Sequence, residues 1–415
     1  MTKQLTIGLF GYGCVGSGLY EVLQRTADFN AEILKICVKN KNKERNLPST
    51  YFTYNKNELL DDETINVIVE LIDDAEEAFN IVSAALKNGK AVVTANKKML
   101  AQHFEELYQL QQTYQVPLLY EASVGGSIPI IRSLEEYYDN DTLSNIEGVL
   151  NGTTNYMLTK TFQENKSYEE VLLEAQQLGF AESDPTLDVQ AFDPKFKLAI
   201  LLAHTFGIVT SPKAILNYGI HNLGVYDTRF AREKGYAIKL IAQAAKVNNT
   251  IKAYVLPRFI KEDNAFYHVN NEFNAVQVTA AFSDTQLLKG KGAGSFPTAA
   301  AVLSDLSALR YNYSYGYKKI KQDEGLVLNQ EALVRIYLRY HDESIFDLLN
   351  FESIEEELVS KAYKYIIGTI SIQQLLEANL NEIKDVFVAE VGVPVKDTVG
   401  KKQLLGKQDL FESIH

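Results

Sequence analysis

Between Gly179 and Lys197 the chain sets carboxylates, a proline and lysines at spacings that suit proton transfer to a substrate oxygen. Gly179-Phe180-Ala181-Glu182-Ser183-Asp184-Pro185 is followed by Leu187-Asp188 and then by Phe192-Asp193-Pro194-Lys195-Phe196-Lys197. Asp193 before Pro194 predicts a helix start, with the aspartate as N-cap and the proline at the first helical position. Capping accounts for Asp193 without any chemistry. It leaves Lys197 unexplained, because a cation in the first turn opposes the helix dipole at about 0.3–1 kcal/mol when partly exposed. Such an ammonium has a lowered pKa unless a carboxylate compensates, and Asp193 or Glu182 can compensate while leaving the proton available to a substrate.

Three further segments carry polar groups in loop-like settings: Thr94-Ala95-Asn96-Lys97-Lys98, Glu121-Ala122-Ser123-Val124-Gly125-Gly126-Ser127-Ile128-Pro129, and Asn151-Gly152-Thr153-Thr154-Asn155-Tyr156. In the second, paired glycines and small side chains expose backbone carbonyls able to coordinate a hard monovalent cation, although a flexible turn has the same composition. In the third, hydroxyls and amides suit a small polar substrate. Equally, Thr153 or Thr154 can cap the helix that follows, and the motif leaves both readings open.

These groups need elements to hold them. The apolar strand Leu5 to Phe10 runs into Gly11-Tyr12-Gly13-Cys14-Val15-Gly16, and a helical pattern of Leu19, Val22 and Leu23 follows. This is G-x-G-x-x-G in the strand-turn-helix setting of a Rossmann unit: Gly11 allows the tight turn, Gly13 lets backbone approach a pyrophosphate, and Gly16 allows close helix packing. A second strand, Glu32 to Val38, ends in Lys39-Asn40-Lys41, where an NAD site usually carries an acid. A cation there suits the 2′-phosphate of NADP(H), with NAD(H) as the alternative, and a solvated basic loop would read the same way.

The pattern continues through Val67 to Ile72, a helix from about Asp74 to Asn88 closed by Gly89, the strand Ala91 to Thr94, a helix from about Lys98 to Tyr114, and Pro117 to Glu121. Alternation of this kind predicts an α/β fold with a doubly wound parallel sheet, and ligands gather beyond the carboxyl ends of its strands. The loops at Thr94 and Glu121 lie there. Far along the chain, Gly290-Lys291-Gly292-Ala293-Gly294-Ser295-Phe296-Pro297-Thr298 opens another helix, Ala299 to Leu309. A glycine-rich turn at a helix start can approach a cofactor closely. The predicted organisation is therefore a nucleotide-binding domain at 1–130 completed by about 295–318, an inserted α+β domain at 131–294, and a C-terminal module at 321–415.

Bulk properties narrow the class. The 415 residues are 46% hydrophobic, enough for two or three cores, yet runs such as Ala199-Ile200-Leu201-Leu202-Ala203 fall far short of a membrane span. With 41 basic against 53 acidic residues the formal charge is −12, which argues against nucleic acid as a partner. Cys14 and Cys37 are the only cysteines, too few for a disulfide framework, and they fit a reducing, cytoplasmic setting.

Taken in order, the motifs at 11–16, 94–97, 121–129, 151–156, 179–197 and 290–298 resemble homoserine dehydrogenase, over about residues 1 to 315. The resemblance implies NAD(P)H-dependent, reversible reduction of L-aspartate 4-semialdehyde to L-homoserine, on the route to threonine and methionine. It makes Lys197 the proton donor, and places Lys97 at substrate or cofactor near the same oxygen. Glu182 and Asp193 would hold the substrate amino group and position Lys197. The cofactor residues would be the glycine loop from Gly11 through Tyr12, Gly13, Cys14 and Val15 to Gly16, with Lys39, Thr94, Lys97 and Gly292. The backbone carbonyls of Glu121, Val124, Gly126 and Ile128 would form a sodium site, the inserted α+β domain would be the catalytic and dimerisation domain, and the assembly would be a homodimer or higher homo-oligomer. Asp73-Asp74 departs from the glycines such chains often carry after that strand.

Two other readings compete. Aspartate-semialdehyde dehydrogenase needs a thiol nucleophile, but Cys14 falls in the phosphate loop and Cys37 in a strand. An NADP-binding redox regulator that has lost catalysis would not need the Lys97, Glu182, Asp193 and Lys197 set. From about Lys321 onward, Ala332 to Arg339 and Phe387 to Val391 read as strands, and many family members end in an amino-acid-binding ACT domain. The glycine expected after its first strand is missing from Tyr340-His341-Asp342-Glu343-Ser344-Ile345, so a degenerate ACT-like module is expected, with inhibition by threonine doubtful.

Overall fold

The computed structural model describes residues 4–26, 29–322 and 325–392. Its N-terminal sheet has six strands in the order Phe52–Thr53, Ala31–Cys37, Leu5–Phe10, Val67–Glu70, Ala91–Thr94 and Leu118–Leu119. Every pairing in it is parallel. This is the Rossmann strand order, and the apolar runs of the inner strands are buried on both faces as a covered parallel sheet requires.

Helix Cys14–Arg25 covers one face and is joined by Ser295–Leu309, which returns from far along the chain. Gly18 makes that packing possible, since a Cβ there would lie 2.3 Å from Ser295 Oγ. Helices Ala75–Lys87 and Lys97–Tyr114 pack together on the other side. Asp74 caps the first of these by accepting the Glu77 N–H, so the acidic pair at 73–74 serves a helix start.

The second sheet holds eleven strands among the described residues. Its main path runs Asp284–Lys291, Phe273–Ala280, Leu143–Val149, Ala237–Val247, Thr250–Ile260, Phe387–Val391, Leu333–Tyr340, Lys364–Ser371 and Ser353–Val359. The long helix Phe192–Phe206 lies between this sheet and helix Lys97–Tyr114. His204 pins its far end, with Nε2 2.8 Å from the Tyr120 hydroxyl and Nδ1 2.6 Å from Glu135 Oε1.

The C-terminal strands were expected as a module of their own, yet they continue the catalytic sheet. Phe387–Val391 pairs with Thr250–Ile260, aligning Glu390 with Arg258, and Arg258 holds Glu390 and Glu147 at 2.6 Å each. Residues 323–324 and 393–415 of the predicted module lie outside the described residues.

Candidate active site

Strand Leu143–Val149 leads through Leu150 to Asn151, which caps the helix Gly152–Glu164 by accepting the Thr154 N–H. The cap is therefore Asn151, while Thr153 Oγ1 donates to the Phe180 carbonyl. The Asn151 amide points elsewhere: Nδ2 donates to Asp188 Oδ1 at 2.7 Å and to Asp193 Oδ2 at 2.9 Å. Asp193 was expected as the N-cap of its helix, but that position belongs to Ala191, in a left-handed conformation at φ 65°. The helix starts earlier than the Asp-Pro pair signals. Asp193 lies inside its first turn, free of a capping bond and aimed at lysines.

Its carboxylate joins two ammonium groups. Lys197 Nζ lies 2.7 Å from Oδ2 and donates to the Leu150 carbonyl at 2.7 Å, while Lys97 Nζ lies 2.8 Å from Oδ1. Side-chain exposure separates the lysines: 7% for Lys197 and 42% for Lys97. Burial drives the Lys197 pKa below its usual value despite Asp193, whereas Asp193 holds the Lys97 pKa above its own. Burial would raise the Asp193 carboxyl, but Lys197 and Lys97 outweigh it and keep the group well below 3.8. Asp188 shifts upward, through burial and then the charge of Asp193. Environments that push neighbouring groups apart in this way separate a proton donor from a fixed charge.

Glu182 stands outside this cluster, on an exposed segment, and influences Lys97 electrostatically only behind Asp193 and Asp188. Asn151 and Asp188 belong to the cluster by geometry. Their sequence signal was present in the two polar runs, but nothing in either run showed that they would meet.

The glycine loop fits a dinucleotide. Gly11 has φ +93°, and a Cβ on it would lie 2.6 Å from the Leu71 carbonyl oxygen; one on Gly16 would lie 2.3 Å from the Gly11 oxygen. A Cβ on Gly13 would meet nothing within 4 Å, so the loop presents bare backbone to open space at the helix start. No acidic side chain occupies that first turn. Cys14 is exposed and Val15 half-buried, but Tyr12 turns into the core, donating to Asn46 Oδ1 at 2.9 Å. Lys39 is exposed just beyond the second strand. The loop that follows it is held by Arg45, which donates to the Asn40 carbonyl and lies over the Phe52 ring.

Two further predicted cofactor residues are placed differently. The Thr94 hydroxyl is buried and bonded to Glu70 Oε2 at 2.5 Å. Gly292 packs on Asn274 and Gly126, because the 290–294 turn closes on the 124–128 loop. Ser295 is the residue that returns to the phosphate loop, donating to the Cys14 carbonyl at 2.8 Å.

Among the described residues no cluster of three or more His, Cys, Asp or Glu could hold a metal ion. The Glu121 carboxylate already accepts the N–H groups of Ile131 and Arg132, and the Ile128 carbonyl accepts that of Ile130. Val124 and Ile128 are buried. Gly126 adopts φ +56°, where a Cβ would meet Lys291 and Gly292 backbone at 2.5 Å. Asp305, pushed up to about 7 by burial and then by Glu121, accepts the Arg132 guanidinium at 2.8 Å, whereas Glu121 bonds the Arg132 backbone N–H.

The family description "Homoserine dehydrogenase" matches residues 129–307, and "Homoserine dehydrogenase, NAD binding domain" matches 11–121. Homoserine dehydrogenase of Bacillus subtilis is 38% identical over 323 residues, covering 76% of this chain and 75% of that protein. The Lactococcus lactis enzyme is 37% identical over 313 residues, 73% of each. A solved homoserine dehydrogenase from Thiobacillus denitrificans superposes with TM-score 0.80 at 31% identity, over 94% of this chain and 98% of that one. A hyperthermophilic archaeal homoserine dehydrogenase in complex with NADPH gives TM-score 0.64 at 25% identity, over 75% and 99%. With its glycine loop in a Rossmann sheet and its lysine pair astride one buried aspartate, the chain belongs to the homoserine dehydrogenase family, oxidoreductases that act on a CH–OH group with NAD(P).

Proposed function

We propose that the chain interconverts L-aspartate 4-semialdehyde and L-homoserine, with Lys197 as the acid that protonates the aldehyde oxygen during reduction. The carrying observation is the opposite bias of the two lysines on Asp193. Lys197 is desolvated and gives its proton more readily. Lys97 stays charged beside the same site and stabilises oxyanion charge. Asp193 orients both through separate oxygens, and Asn151 steadies it. Glu182, exposed and electrostatically coupled to Lys97, is assigned to the substrate amino group together with Asp193. When bound, the nicotinamide cofactor supplies the hydride. The bare backbone of the 11–16 loop would hold its pyrophosphate. None of the site's features favours a catalytically silent regulator.

NADP(H) is the proposed cofactor, on Lys39 and the Arg45-braced loop, and the archaeal relative was solved with NADPH. Carbonyls of Glu121, Val124, Gly126 and Ile128 are proposed to hold sodium, beside the buried carboxyls of Glu121 and Asp305. The last four strands run in the order Phe387–Val391, Leu333–Tyr340, Lys364–Ser371, Ser353–Val359, which suits an ACT-like unit. A short 3-10 turn, Glu343–Asp347, takes the place of the first helix, supporting a degenerate module. A homodimer in a reducing cytoplasm completes the proposal. No helix among the described residues is long and apolar enough to cross a membrane. Steady-state oxidation of NADPH with aspartate semialdehyde tests the activity, and absence of turnover across the pH range would refute it.

A further inference from the structure

The end of strand Val67–Glu70 carries an acid where an apolar residue would serve the sheet better. All four residues of the strand are buried, and Glu70 has no exposure at all. Burying a carboxyl costs several kcal/mol unless it is fully bonded, so its presence calls for a purpose. No ammonium or guanidinium is among the groups that set its titration; burial pushes it up to about 7, opposed only by hydrogen bonds from Thr94, Ile72 and Asn96. Its partners are specific. Glu70 and Thr94 face each other in the last register of two parallel strands. Oε2 accepts the Thr94 hydroxyl at 2.5 Å, and Oε1 accepts the Ile72 N–H at 2.7 Å.

From Thr94 the chain of bonds leads to the site. Thr94 Oγ1 accepts the Asn96 N–H at 3.0 Å, and Asn96 Nδ2 donates to the Ile72 carbonyl at 3.2 Å. Asn96 Oδ1 then caps the next helix through the Met99 N–H at 3.0 Å, and the first residue of that helix is Lys97. Lys97 is a long side chain, still 42% exposed and held to Asp193 by a single contact at 2.8 Å. Such a group is positioned mainly by the backbone that carries it.

We infer that Glu70 is a positioning residue for the reaction: through Thr94 and Asn96 it fixes the 94–97 turn, and so the placement of the Lys97 ammonium beside Asp193. The inference rests on the proposed role of Lys97. Glu70 is fully buried and acts through Thr94 and Asn96 rather than on substrate or cofactor directly. It ties the turn at 71–72, on which Gly11 packs, to the turn that presents the lysine.

A double-mutant cycle tests it. Glu70→Gln keeps the shape but cannot accept two hydrogen bonds through the same pair of oxygens. It is expected to lower kcat/KM for the semialdehyde by about ten-fold while the NADPH Kd stays within about two-fold. In a Lys97→Met background the same change is expected to add less than about two-fold, because its route to the reaction is already cut. Wild-type kinetics in Glu70→Gln would overturn the inference, as would losses that multiply in the double variant, since Glu70 would then act independently of Lys97. Wild-type kinetics in Lys97→Met alone would overturn the role of Lys97, and this inference with it. Should Glu70→Gln not fold, Thr94→Val cuts the same link without touching the buried acid, and it carries the same expectations.

Discussion

Replacing Lys197 by methionine keeps most of the stem and removes the ammonium, so it separates chemistry from packing. In the native site that ammonium has two partners, the Leu150 carbonyl and Asp193 Oδ2, each at 2.7 Å. Removing one member of a buried pair costs roughly 3–5 kcal/mol when the other charge is stranded. Asp193 is not stranded, because Lys97 at 2.8 Å and the Asn151 amide at 2.9 Å remain. The stability loss should therefore fall below that range, and the variant should fold. Loss of a general acid lowers kcat by about 10²–10⁴-fold, or about 2.7–5.4 kcal/mol of barrier. NADPH affinity should stay within about two-fold, because the phosphate loop is built from separate elements. Stopped-flow and steady-state oxidation of NADPH, with fluorescence titration of the cofactor, measure both quantities. Because burial lowers the Lys197 pKa below 10.5, wild-type kcat should fall on an alkaline limb that the variant lacks. A kcat within about three-fold of wild type, or an unchanged alkaline limb, would refute Lys197 as the donor.

Three other outcomes are expected. Lys39→Asp should weaken NADPH binding by about ten-fold and NADH much less, whereas equal weakening of both would make Lys39 a bystander. Asp193→Asn should destabilise the fold by about 3 kcal/mol near neutral pH, since the buried Lys197 ammonium loses its carboxylate partner while the half-exposed Lys97 can turn to solvent. The native carboxyl titrates below its usual value, so its contribution is present above about pH 3.8 and is lost as pH falls through the folded pKa. Denaturant midpoints should accordingly converge in acid, and a constant gap down to about pH 3 would disprove the ion-pair account. Threonine should leave activity unchanged up to about millimolar levels, in keeping with the 3-10 turn at Glu343–Asp347. Strong inhibition would show that the turn binds an effector without the expected glycine.

Local pattern determined much of the nucleotide domain. Strands Leu5–Phe10 and Ala91–Thr94 have the bounds that their apolar runs predict, and Gly89 follows its helix at φ +72° as a terminating glycine should. The glycine loop was legible for the same reason: its demands are on backbone space, which residue type alone meets or fails. Elsewhere local signals misled. Asp193-Pro194 reads as a helix start, yet the helix begins at Phe192 behind a left-handed Ala191. Thr94 looks available to a ligand but spends its hydroxyl on Glu70.

What only the tertiary structure decided is which distant groups share space. Lys97, Asn151, Asp188, Asp193 and Lys197 come from two domains, and their cluster forms only because helix Phe192–Phe206 packs against helix Lys97–Tyr114. The same holds for the joining of strand Phe387–Val391 to the catalytic sheet, where backbone edges pair without leaving a mark in either strand's composition. The sequence by itself determined the nucleotide fold and the types of reacting groups. It could not determine their charge states, because those follow from burial and from neighbours that are remote in the chain.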